Sequence, residues 1–98
     1  GGEQQMLAMA RALATDPTVL LLDELSMGLA PLIVSELYDL VARIADSGVS
    51  ILVVEQFART VLGVADLAVI MAHGTVAAAG APAELEADLS AAYLGASA

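Results

Sequence analysis

Two short apolar runs, each cut off by acidic or amide side chains, constrain this chain more than any other feature. The first is Val19 to Leu22, stopped by Asp23-Glu24; the second, SILVV at 50 to 54, is stopped by Glu55-Gln56. Such runs lack the alternation of a half-solvated strand. They read as strands buried on both faces, as in a parallel sheet. Between them, residues 32 to 46 place Ile33, Leu37, Leu40, Val41 and Ile44 on one side of a helix, which Ser47-Gly48 closes. Strand, helix, strand with buried strands is the pattern of a right-handed βαβ sheet.

The flanking segments fit the same plan. Residues 3 to 14 are strong helix formers, with Met6, Leu7, Met9, Ala10 and Leu13 on an apolar face, and Asp16-Pro17 stops them. Residues 25 to 31 form a loop in which Gly28 is free to take positive φ, and Pro31 suits the first turn of the next helix. A short helix near 58 to 64 precedes a third apolar run, LAVIMA. His73-Gly74 then signals a turn, and TVAAAG is the returning strand of a hairpin. Pro82 opens a short helix, AELEADL, and an Ala-rich turn ends at Tyr93-Leu94-Gly95. No internal repeat or low-complexity linker interrupts the 98 residues, which suffice for one small domain.

Charge and composition remove several functions. Twelve acids stand against Arg11, Arg43 and Arg59, for a net charge of −9. Nucleic-acid binding needs a basic surface to release counterions, and none can form here. A direct grip on anionic lipid is disfavoured for the same reason. Without Cys there is neither a disulfide framework nor a thiolate metal site. The longest apolar stretches fall short of the ~18–20 residues a membrane span needs, and no basic segment leads into an apolar one as in a signal peptide. The chain opens on Gly1, inside what reads as a motif, so a truncated start is expected.

Asp23-Glu24 is the pair best placed for chemistry, because open α/β sheets put ligands at the carboxyl ends of their strands. Asp23 can hold a hydrated Mg²⁺, a hard cation that keeps several waters. Glu24, pointing the other way from the strand, can polarise an attacking water. The plain alternative is a pair of acids ending a strand in solvent. Gly1-Gly2 before a helix offers bare N–H groups to a phosphate, against the plain alternative of a glycine N-cap. His73, the only His, reads as a solvated turn residue. Glu84, Glu86 and Asp88 read as a solvated helix face with no His or Cys to make a metal site. Met6, Met9 and Met71 read as packing residues, and Met27 falls in the loop after Glu24.

Taken together, GGEQQMLAMARALATDPTVLLLDE resembles the stretch that joins the signature motif to the Walker B strand in ATP-binding-cassette (ABC) ATPases. The resemblance runs to the C-terminus: LSMGLAP looks like the D-loop of branched-chain amino acid importers, ILVVEQ like their switch strand, and AYLG suits their ending. It implies an α/β, P-loop NTPase-like parallel sheet with flanking helices and a C-terminal β-hairpin. Residues 1–98 would be the C-terminal portion of an ABC ATPase domain, without its Walker A half.

Carried over by position, the resemblance implies that Asp23 holds the Mg²⁺ of ATP through water and Glu24 activates the hydrolytic water. Gln56 would contact the γ-phosphate. Gly1, Gly2 and Glu3 would face a nucleotide on the opposite subunit, and Ser26, Met27, Gly28 and Leu29 would line that interface. The implied partners are a second ATPase subunit, membrane permeases and, indirectly, a periplasmic or extracellular solute-binding protein. The implied location is the cytoplasmic face of the membrane. Two positions depart from the wider superfamily: Gln56 replaces His and cannot titrate near neutrality, and Leu25 replaces Pro. Other solutes (urea, short amides, lipid-linked cargo) and a non-transport ATPase are the alternatives. No GxxxxGK[ST] loop occurs, so the 98 residues alone are expected neither to bind ATP tightly nor to hydrolyse it.

Overall fold

The computed structural model describes residues 2–87, so Gly1, Asp88 and the Tyr93-Leu94-Gly95 turn lie outside the described residues. The chain divides into two compact units, Gly1–Val61 and Leu62–Ala98.

The first unit is built on a βαβ crossover. Helix α1 (Gly2–Leu13) leads to strand β1 (Val19–Asp23), helix α2 (Pro31–Asp46) and strand β2 (Ser50–Val54), and the short helix α3 (Ala58–Leu62) ends at the first residue of the second unit. The strands pair in parallel, with Val19 opposite Ser50 and Asp23 opposite Val54. Helix α1 ends where Thr15 donates both its N–H and its Oγ to Ala12 O, and Asp16 turns left-handed at φ 53° ahead of Pro17. Pro31 begins α2, where its missing N–H would be unpaired anyway. Ser47 closes α2 through bonds to the Arg43 and Ile44 carbonyls.

Packing is one-sided. Met9 of α1, Leu20 and Leu22 of β1, Leu25, and Leu37, Tyr38, Val41 and Ile44 of α2 form one buried cluster, flanked by Ile51 and Val53. The parallel register sets Leu20 beside Ile51 and Leu22 beside Val53, so the covered face takes alternate residues of both strands. The other face is open, with Val19, Leu21, Leu52 and Val54 all more than half exposed. This corrects the expectation of strands buried on both faces. A single crossover helix covers only one side of a sheet, and within this unit no other described element covers the second.

Two smaller corrections concern α1 and the methionines. The face of α1 turned to the core carries Met9, Ala12 and Leu13, with Gly2 and Gln5 half-buried along it. Leu7 and Ala10 are exposed, because the apolar residues of this helix extend further round it than the buried stripe. Of the four methionines only Met9 is buried; Met6, Met27 and Met71 are exposed.

In the second unit β3 (Ala68–Ala72) and β4 (Thr75–Gly80) form the expected antiparallel hairpin. Its two-residue turn, His73 at φ 52° and Gly74 at φ 79°, matches the positive-φ turn that suits the twist of paired strands. His73 is exposed, as expected of a turn residue. A register shift after Ile70 leaves one extra residue in β4, a bulge. Residues 82–87 are helical, with Leu85 buried and Glu84 and Glu86 exposed. Among the described residues no helix is long and apolar enough to cross a membrane.

Candidate active site

The parallel pairing of β1 and β2 decides what meets what. With Asp23 opposite Val54, the residues that follow each strand, Glu24 on one side and Glu55-Gln56 on the other, emerge together at the carboxyl rim. Asp23 closes β1 with its side chain exposed, and Glu24 is half-buried. Glu24 leaves the strand in a left-handed conformation, φ 51°, so strand alternation does not govern where its side chain points. Its N–H donates to Val54 O at 2.7 Å, which pins the bend to the neighbouring strand. Gln56 is exposed at the same rim.

The loop after Glu24 is compact. Met27 N–H donates to Glu24 O and Leu29 N–H to Ser26 O, each at 3.2 Å. Gly28 has φ 74°, the positive value expected of it. Leu25 is 5% exposed and belongs to the core, which gives the residue standing in place of Pro a packing role. Met27 and Gly28 are exposed, and Leu29 packs partly against the core.

Sequence reasoning missed the polar hub of this rim. Glu55, read only as the end of a strand, accepts three hydrogen bonds: from Ser26 Oγ at 2.8 Å, from Ser26 N–H at 3.1 Å and from the Tyr38 hydroxyl. Gln5 of α1 adds a long bond from Nε2 to Leu25 O, 3.5 Å. Burial, and then the hydrogen bond to and charge of Glu55, push the Tyr38 phenol well above its usual 10.0. Signals for the hub were present. Tyr38 follows Leu37 on the apolar side of α2, where a buried phenol needs a polar partner, and Glu55 ends the neighbouring strand.

At the opposite end of the motif, Gly2 is the first described residue of α1, and Glu3 beside it is exposed. A Cβ added to Gly2 would collide with Ile33 Cγ2 of α2. Close approach of two helices is thus one requirement for glycine there. Gly1 lies outside the described residues. Among those described, no three His, Cys, Asp or Glu side chains gather as a metal cluster. The exposed Asp23 carboxylate is a hard oxygen donor and suits a hydrated cation held mostly by water and a bound phosphate.

No protein-family model matches the chain. A solved structure, cbiO1 from Clostridium perfringens, described as part of the ABC transporter complex cbiONQ, superposes with a TM-score of 0.83. It is 32% identical over 88% of this chain and 35% of its own length. The fold is therefore that of an ABC ATPase domain, in part. In sequence, the chain is 45% identical over 76 residues to the high-affinity branched-chain amino acid transport ATP-binding protein BraG of Pseudomonas aeruginosa. That match takes in 78% of this chain and 33% of the relative. It is 40% identical over 85 residues to the arginine transport ATP-binding protein ArgV of Corynebacterium glutamicum, 87% of this chain and 34% of the relative. The chain spans about a third of the length of each of these proteins. Fold and sequence together support the family of ABC transporter ATP-binding subunits.

Proposed function

We propose that this chain is the part of an ABC transporter ATPase that carries the hydrolytic carboxylate, with Mg²⁺ and ATP as its ligands. The observation behind this reading is the register that sends Asp23-Glu24 and Glu55-Gln56 out at one carboxyl rim. Asp23 holds the cation through water, and Glu24 takes the proton of the attacking water. Gln56 donates to the γ-phosphate. Bound magnesium supplies the positive charge that offsets the phosphates. Ser26, Met27, Gly28 and Leu29 line the contact with a second ATPase subunit. Gly1, Gly2 and Glu3 act toward the nucleotide held by that subunit. Membrane permeases and, through them, a solute-binding protein complete the assembly at the cytoplasmic face of the membrane.

The solute is a branched-chain amino acid on this reading, supported by the similarity to BraG and by the LSMGLAP and ILVVEQ strings. The name of ArgV supports a second reading, a cationic amino acid. Uptake of leucine against arginine by the reconstituted transporter separates the two.

The central test is Glu24→Gln in the full-length protein. General-base assistance is worth ~10²–10⁴ in rate, so turnover falls by about that factor while MgATP still binds. Turnover at the parent rate removes Glu24 from the mechanism.

A further inference from the structure

We propose that Glu55 is a positioning residue: its carboxylate clasps Ser26 and thereby holds the loop at 24 to 29 to the end of β2. The clasp uses both oxygens. Oε1 accepts from Ser26 Oγ at 2.8 Å, and Oε2 accepts from Ser26 N–H at 3.1 Å and from Tyr38. Ser26 is 8% exposed and Tyr38 is buried too, so little water competes for these donors.

Glu24 is consequently bracketed by a single strand. Its own N–H is held by Val54 O, and Ser26, two residues on, is held by the next residue of that strand's exit, Glu55. Gln56 follows Glu55 directly. The two strand exits are therefore tied into one body, and the spacing between positions 24 and 56 is set by the clasp. Tyr38 anchors Glu55 from below, through α2, and Gln5 steadies Leu25 from α1.

The consequence for turnover rests on the function proposed above; the clasp itself does not. The test uses three variants of the full-length protein: Glu55→Ala, Glu55→Asp and Glu55→Gln. Glutamine preserves the geometry, because its carbonyl oxygen can accept from Ser26 N–H and Tyr38 while its amide donates to Ser26 Oγ. Aspartate keeps the charge but is one methylene too short to keep all three bonds. Hydrogen exchange reads the clasp without nucleotide. Exchange at the Ser26 amide accelerates on the order of tenfold or more in Ala and Asp and stays near the parent rate in Gln.

ATP turnover reads the consequence. Loss of alignment lowers kcat by on the order of ten- to a hundredfold in Ala and Asp, with KM for MgATP within about twofold, and Gln recovers most of the rate. Unchanged Ser26 exchange in Ala and Asp overturns the clasp. Fast exchange with parent kcat overturns positioning, as does a Gln variant that loses as much as Asp. A parent protein that does not hydrolyse ATP would refute the function proposed above, and the exchange result would then decide the clasp alone.

Discussion

Replacing Gly2 by Ala separates a packing glycine from a phosphate-facing one. The new Cβ would lie well inside the ~3.5–4.0 Å at which carbon atoms make optimal contact, pressed against Ile33 Cγ2. Ile33 cannot swing clear, because a β-branched side chain in a helix has one strongly preferred χ1. The helices must part instead, and overpacking of this kind costs about 1–3 kcal/mol. Helix propensity returns up to ~1 kcal/mol on going from Gly to Ala. The expected net loss is therefore ~0–2 kcal/mol. Ile33→Ala alone loses stability through its partly buried side chain, near the lower end of the ~2–5 kcal/mol for a full truncation.

In the double variant the clash is gone, so the loss is smaller than the sum of the two singles by the overpacking cost, about 1–3 kcal/mol. Urea unfolding of the full-length proteins, with m unchanged across the set, measures each term. Additivity within ~0.5 kcal/mol would refute the packing argument. ATP turnover of the double variant, compared with Ile33→Ala alone, then reports on the phosphate role by itself: turnover lost only when Gly2 is also replaced supports it.

Three further outcomes follow from the geometry. Leu37 has no exposed surface, so Leu37→Ala should lose about 2–5 kcal/mol, much of what a unit of this size holds at ~0.05–0.15 kcal/mol per residue; a loss below ~1 kcal/mol in urea melts would contradict the core described. Tyr38 keeps its proton in the folded state above the usual 10.0, whereas the unfolded chain loses it near that value. Its contribution is therefore intact below about pH 10 and declines as pH rises beyond it, and Tyr38→Phe should flatten this alkaline slope in pH-dependent melts; identical slopes would refute the linkage. The open face of the sheet should make the 98-residue chain self-associate, and Leu21→Asp with Leu52→Lys should reduce this in sedimentation experiments. Unaltered sedimentation would show that the face plays no part.

The elements themselves were plain in the sequence because their signals are local. Pro31, the apolar spacing of α2, the His73-Gly74 turn and the two acid-ended runs each fix a boundary through neighbouring residues. What the sequence hid depends on partners distant along the chain. Whether Leu21 and Leu52 are covered depends on what packs against the sheet, and an all-apolar run looks the same either way. Leu7 and Met6 satisfied a helical period but lie off the stripe that α2 selects. The carboxyl rim was legible from Asp23-Glu24 alone, whereas the Glu55 clasp joins positions 26, 38 and 55, which only the parallel register brings together.

The left-handed bend at Glu24 has one last consequence. Glycine would occupy that backbone shape with ~1–2 kcal/mol less strain than a residue bearing a Cβ. On the function proposed above, the substitution that relieves this strain also removes the hydrolytic carboxylate, so a screen for thermal tolerance alone would select against turnover.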